Sequence, residues 1–311
     1  MIFRLVKLTL PALLFFGPQI PAIAATCSCA GVPLLTSIDT SATEQGQLFI
    51  SYTTENHKIN DLVSGTDDVR DETRRDRNSF SQVISASYAL TDRWAVSALI
   101  SYIEHSREIG SSIFGETSSS GMGDSVILAR YTPLFFTPFS RHDLSLGLGV
   151  RIPTGEDNFD FENGFIASED MQPSVGAVGK ILWTSYGYAF NQAATVQFNV
   201  SANYTYNEEN DRKYAFGHEF NIAFGLSQSL GNRFGYSAGL RYRTTRADRR
   251  SGFTIPNTGG KWLDFVPAVQ FAVTDNLDLS LFGRIPVARD LKGVLQFTTS
   301  YSYGLSLIYG F

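Results

Sequence analysis

The chain of 311 residues holds only four histidines and two cysteines, so imidazole and thiol chemistry has few places to reside. His57 and His105 open polar stretches that read as links, His142 sits near a turn, and His218 falls among aromatic and aliphatic neighbours. A serine hydrolase needs its nucleophile within hydrogen-bond reach of the base, and the face that carries His218 offers no serine beside it. No glycine loop suited to phosphate and no histidine pair at metal-ligand spacing appears, so the residues point to no catalytic, cofactor or metal constellation. Cys27 and Cys29 could close a strained disulfide or give two soft ligands to Cu(I) or Zn, but two ligands do not complete a metal site. Cys27 follows Ala24-Ala25-Thr26, which lacks the aliphatic and small residues of a lipidation signal.

The remaining chemistry lies in charges, whose meaning depends on the elements that carry them. A strand presents its side chains to two sides. Over residues 295–311 one parity reads Leu295, Phe297, Thr299, Tyr301, Tyr303, Leu305, Leu307, Tyr309 and Phe311, while the other is Gln296, Thr298, Ser300, Ser302, Gly304, Ser306, Ile308 and Gly310. One face suits lipid and the other water, which predicts a transmembrane β-strand in a closed barrel. The same alternation recurs at residues 142–151, 194–207, 214–230 and from 234 onward. In all it predicts about twelve strands, an even number that suits an antiparallel up-and-down barrel with both termini in the periplasm. Short polar turns at residues 91–93, 191–192, 231–233 and 274–276 alternate with longer links, as that topology requires. The link at 133–141, with Leu134, Phe135, Phe136 and Phe139, is predicted to lie at the membrane interface or under the barrel mouth. Tyr88, Trp94, Trp183, Tyr188, Phe234, Tyr309 and Phe311 are placed in a periplasmic girdle. Tyr52, Tyr102, Tyr204, Tyr206, Phe216, Tyr242 and Trp262 are placed in an outer one.

Parity turns Arg151, Lys180, Arg241, Arg243 and Arg284 into the lumen, with Glu219, Asp264 and Asp278 as the acidic set. Lumen-facing charges set what passes, so a basic-leaning constriction toward the outer mouth is one expectation. The other is that these charges pair into a salt-bridged network that fills the lumen. Two outer links are acidic. Asp67, Asp68, Asp71, Glu72 and Asp76 are diluted by Arg70, Arg74, Arg75 and Arg77. Glu156, Asp157, Asp160, Glu162, Glu169 and Asp170 have no basic residues in their own link, and Phe159, Phe161 and Phe165 could fold that third link into the mouth. Such carboxylates could bind Ca²⁺, or share Mg²⁺ with lipopolysaccharide phosphates.

At the amino end, Arg4 and Lys7 precede an apolar run over 8–16, and Ala22-Ile23-Ala24 supplies small residues for cleavage, so residues 1–24 read as a secretory signal. Residues 25–45 form an N-terminal periplasmic segment with Cys27 and Cys29, and 46–311 the barrel. No stretch offers the ~18 consecutive apolar residues of a transmembrane helix. The 24 Phe and 14 Tyr, set against a mean hydropathy of −0.06, fit residues that alternate between lipid and lumen. A net charge of −5 carries no nucleic-acid signal.

The ending Leu307-x-Tyr309-x-Phe311 resembles the C-terminal signature of bacterial outer-membrane barrels, which implies Phe311 as the mark read by the insertion machinery. Three further stretches resemble an outer-membrane, transporter-like family labelled meta-pathway of phenol degradation. They are Gly121-Met122-Gly123-Asp124, Gly149-Val150-Arg151-Ile152-Pro153-Thr154-Gly155-Glu156-Asp157 and Gln172-Pro173-Ser174-Val175-Gly176. That resemblance implies uptake of small organic compounds, aromatic ones included; the segment Cys27-Ser28-Cys29 departs from it. The sequence reading is therefore an all-β, outer-membrane barrel of Gram-negative type that admits a small solute by diffusion without catalysis. The alternative is a structural or surface-binding barrel with a closed lumen.

Overall fold

A computed structural model describes residues 25–26, 44–110, 116–137, 139–161 and 164–311. Twelve antiparallel strands follow one another around a closed barrel. They are β1 (Leu48–Lys58), β2 (Arg75–Ala89), β3 (Trp94–Ile109), β4 in two halves (Glu116–Met122 and Ser125–Leu134), β5 (His142–Ile152), β6 (Gly179–Ala189), β7 (Val196–Asn207), β8 (Glu219–Leu230), β9 (Phe234–Thr245), β10 (Gly260–Ala272), β11 (Leu277–Leu291) and β12 (Tyr301–Gly310). Closure comes from β12 against β1, with Gly310 opposite Phe49 and Tyr301 opposite Lys58. Closure pairs the strands of the wall on both sides, which lipid demands of any sheet that crosses it. Only the outer half of β4, Glu116–Met122, pairs with β3 alone among the described strands of the wall. Among the described residues no helix is long and apolar enough to cross a membrane.

The burial pattern follows the strand period of two. On β3, Val96, Ile100 and Tyr102 are exposed, while Ser97, Leu99, Ser101 and Ile103 are buried. On β1, Ile50 and Tyr52 point out, and Ser51, Thr53, Glu55 and His57 point in. The short turns lie at one end of the barrel and the long links at the other, as expected. In the 133–141 link, Phe136 Cζ lies 3.0 Å from where a Cβ on lumen-facing Gly187 would stand, which puts that ring under the barrel mouth.

Two segments depart from the expected pattern. On β6 the faces are reversed: Ile181 is buried inside, Leu182 is exposed outside, and Lys180 points outward. Lys180 stands opposite Tyr206 in register, with Nζ 2.8 Å from Glu208 Oε1, and so is not a lumen residue. Trp183 correspondingly faces inward rather than joining the periplasmic girdle. A one-residue shift of parity flips every side chain of a strand, and β6 carries apolar residues on both faces, so alternation alone could not orient it. The last strand is also shorter than the pattern that predicts it. Gln296–Thr298 pairs with Asp61–Ser64 outside the barrel wall. Phe297 is buried there with Ile59 and Leu62 instead of meeting lipid, and the Arg75 guanidinium lies 4.0 Å above its ring.

The outer links thus build a second layer on the barrel. Asp61–Ser64 also pairs with Asp67–Val69, and Arg289 Nη2 reaches Asp61 Oδ2 at 2.5 Å. Trp262, expected in the outer girdle, is only 3 % exposed; its indole N–H donates to Thr298 Oγ1 at 2.9 Å. The backbone of Ala25–Thr26 runs parallel to Gln296–Phe297. The signal segment, Cys27, Cys29 and Glu162 lie outside the described residues.

Candidate functional site

The lumen has two unlike walls. One is apolar: Val83 of β2, Leu99 of β3, Val126 and Leu128 of β4 and Ile181 of β6 form a buried cluster, with Trp183 packed against it. Between β4 and β6, the inward positions of β5 include Gly147 and Gly149. A Cβ on Gly149 would stand 2.8 Å from the Ile127 carbonyl oxygen and 3.0 Å from Leu128 Cδ1. On Gly147 it would stand 3.2 Å from Trp183 Cε3. These glycines therefore leave the space that Leu128 and Trp183 fill, which explains an inward face on β5 that looked merely small.

The other wall, from β8 to β1, is charged. Arg241 Nε lies 3.6 Å from Asp264 Oδ2, and Arg243 Nη1 lies 3.6 Å from Glu219 Oε2. Arg284 Nη1 is 3.1 Å from Glu55 Oε1, and Ser302 Oγ donates to the same carboxylate oxygen at 2.9 Å. Arg243 also sits 4.0 Å above the Trp262 ring. In a closed ring of twelve strands, β4 and β10 lie half a turn apart, so the apolar and charged walls face each other. Between them is a cavity of about 840 Å³, lined by Trp183, Phe282, Arg130, Arg241, Arg284, Asp278 and a set of serines and glycines. The sequence-predicted Arg241, Arg243, Arg284, Glu219 and Asp264 are therefore brought together. Arg151 stands on the inner side but near the third link, and Lys180 stands outside the barrel.

The outer end carries the third link, folded inward. Arg77 of β2 is wholly buried, and its Nη1 lies 2.5 Å from Asp170 Oδ2 in the short 3₁₀ turn Glu169–Met171. Ser119 of β4 donates to the Met171 carbonyl. Glu169 Oε1 meets Arg250 Nη2 at 2.7 Å, and its other oxygen meets Arg212. The link that has no basic residue of its own is held by arginines from three other parts of the chain. Phe165 does not insert it, being 64 % exposed, whereas Phe159 and Phe161 are half-buried and Phe159 lines a space with His105 and Ser119; Met171 and Ala167 are buried. Gln172 closes the link internally, with Nε2 donating to the Ala167 carbonyl at 2.8 Å and Oε1 accepting from the Phe159 N–H at 2.8 Å.

Beside it, Tyr214 donates to Asp248 Oδ2 at 2.6 Å, and Asp248 Oδ1 accepts the Gly217 N–H at 2.8 Å. Burial and the Asp248 carboxylate hold the Tyr214 phenol well above the usual tyrosine range. Burial would raise the Asp71 carboxyl in the first link, but hydrogen bonds from Thr73 and Arg75 outweigh it and hold that acid below its ordinary value. Among the described residues no group of three or more His, Cys, Asp or Glu gathers to hold a metal ion.

The root of the third link is where the three motif stretches meet. Asp124, in the break between the halves of β4, receives the Ser174 hydroxyl and the Val175 N–H, the latter at 3.3 Å. Arg151 Nε lies 3.3 Å from the same carboxylate. The Glu156 N–H donates to the Met122 carbonyl at 3.1 Å. Gly176 has φ +69°, and a Cβ there would overlap the Asp157 carboxylate. The sequence profile of the family described as "Putative MetA-pathway of phenol degradation" matches residues 104–290, which includes all three stretches. The chain belongs to this family.

No curated protein matches this family member in sequence. Among solved structures it is similar to an outer membrane channel from Pseudomonas putida F1, with a TM-score of 0.70 and 12 % identity over 88 % of this chain and 99 % of that one. It is more distantly similar to the KdgM porin, with a TM-score of 0.49 and 7 % identity over 85 % and 99 % of the two chains. At these identities the first likeness bears on the fold, and that fold is the twelve-stranded barrel.

Several lumenal groups of this family member fall where the sequence suggested links. Glu55 and His57 lie on β1, inside, with His57 Nε2 3.3 Å from Glu55 Oε1. His105 lies inside on β3, where its Nδ1 shares a hydrogen bond of 2.6 Å with Ser79 Oγ, both residues buried beneath the third link. The signal for these was available: Glu55 and His57 share parity with Ser51 and Thr53, and His105 with Ser97 and Ser101. The strands simply run further outward than the first polar residue.

Proposed function

We propose that this protein is an outer-membrane channel that passes small organic solutes, aromatic ones included, by diffusion and without chemical change. The observation that carries this reading is the lumenal cavity of about 840 Å³, which Trp183 and Phe282 line together with Arg130, Arg241 and Arg284, beside the buried apolar cluster. Cavities of this order accommodate small ligands through apolar lining and a few placed polar groups. Membership of a family described by phenol degradation supports aromatic solutes, and the exposed belt of Ile50, Ile84, Ile100, Leu148, Leu226, Leu240 and Leu281 supports residence in a bilayer. Lipid and lipopolysaccharide are then its surroundings, with Phe311 as the mark for the insertion machinery.

A second reading, a barrel closed to solutes, is favoured by the inward third link and its buried Arg77–Asp170 pair. Reconstitution separates the two. Purified protein in liposomes should give swelling with benzyl alcohol or a pentose, and planar bilayers should show discrete conductance steps. Neither swelling nor conductance, with the third link intact or released, would leave the closed barrel as the better account.

A further inference from the structure

Arg241 and Arg284 occupy inward positions on β9 and β11 and line the same cavity as Trp183 and Phe282. They are 6 % and 7 % exposed. Arg241 is not satisfied by its surroundings: its Nε and Nη1 are buried and meet no hydrogen-bond acceptor, since Asp264 Oδ2 is 3.6 Å from Nε, beyond hydrogen-bond reach. Arg284 places Nη1 on Glu55, but its Nε also has no acceptor. Glu55 meets Ser302, His57 and Arg284 through Oε1, while the ion-pair partner of Arg241 is Asp264. Buried guanidinium N–H groups without acceptors are costly, and an oxyanion is the ligand that best supplies acceptors to two guanidinium groups lining one cavity.

The rest of the cavity limits the kind of oxyanion. Trp183 lies over Gly147 on the apolar wall, and Phe282 lies over Gly304, where a Cβ would stand 2.4 Å from its Cζ. Both present ring surface to the cavity that Arg241 lines. Asp143, Asp278 and Arg130 also line it near the periplasmic ends of their strands, with Arg130 offsetting Asp143, which leaves Arg241 and Arg284 as the cationic pair open to a ligand. We propose that this cavity is a binding site for a small aromatic monocarboxylate, its carboxylate on Arg241 and Arg284 and its ring between Trp183 and Phe282. The proposal rests on the channel reading for its biological sense, but binding can be measured without transport.

The test is calorimetric titration of the full mature chain in detergent with benzoate, with its neutral analogue benzyl alcohol and with acetate, which lacks the ring. Benzoate is expected to bind saturably and at least tenfold more tightly than either. Arg241→Gln should lower benzoate affinity at least tenfold, Arg241→Lys should lower it less, and Trp183→Leu should narrow the gap between benzoate and acetate. Folding of each variant is checked by its heat-dependent shift on a denaturing gel. Equal binding of benzoate and benzyl alcohol, or an unchanged benzoate affinity in a folded Arg241→Gln protein, would overturn the site. Pentose-driven swelling of liposomes reports the channel separately. Swelling without benzoate preference removes only the site, and benzoate binding without swelling removes only the channel.

Discussion

Arg77 Nη1 and Asp170 Oδ2 lie 2.5 Å apart, with the guanidinium wholly buried, so one side chain of the β2 wall holds the third link inside the barrel. Removing one partner of a buried pair costs about 3–5 kcal/mol, because the other charge is left without compensation. Asp170→Asn should therefore release the link, and single-channel conductance should rise at least twofold over the unaltered protein. A paired Arg77→Leu, Asp170→Leu protein controls for the stranded charge. Unchanged conductance in both would mean that the link is not the outer closure.

Lys180 and Arg284 give opposite expectations for ion selectivity. Lys180 is exposed and bound to Glu208 on the outer surface, where such a pair contributes about 0–1 kcal/mol. Lys180→Ala should leave the reversal potential in a KCl gradient unmoved, whereas Arg284→Ala should shift it toward cation preference. A shift from Lys180→Ala equal to that from Arg284→Ala would contradict the observed orientation of β6.

The glycines of β5 should not tolerate side chains. Gly149→Val places methyl groups against the Ile127 carbonyl and Leu128, an overpacking of the kind that costs about 1–3 kcal/mol. The folded gel band should disappear at lower temperature or lower urea than for the unaltered protein. An unchanged midpoint would show that the apolar wall yields at no cost.

His218 provides a pH dependence at the outer rim. Its Nδ1 accepts the Asn207 N–H at 3.2 Å, and burial, reinforced by Arg246 and Arg249, holds the imidazole below its ordinary value. For a base with a lowered folded-state pKa, the stabilisation is fully present above the unfolded value of about 6.5 and is lost as pH falls below it. Hydrogen exchange at the Asn207 amide, corrected for intrinsic rate, should be faster at pH 5 than at pH 7.5, and His218→Gln should flatten the difference. Equal protection at both pH values in the unaltered chain would remove His218 from this role.

The alternation of lipid-facing and lumen-facing residues was enough to read a twelve-stranded barrel, its short and long connections, and the inward set Arg241, Arg243, Arg284, Glu219 and Asp264. Parity is a local property of a strand, and where one face is plainly polar it orients the strand by itself. It could not orient β6, because Ile181 and Trp183 are apolar yet face the lumen. Their environment is set by Val83, Leu99, Val126 and Leu128, which other strands bring to the same place. Nor could it foresee that Phe297 leaves the barrel wall, or that Arg77, Arg212 and Arg250 hold an acidic link without a basic residue of its own. The arginine contacts alone join residues up to 93 positions apart. The sequence determines which faces each strand offers; only closure of the barrel decides which inward residues meet, and so whether a charge becomes a gate, a binding group or a surface residue.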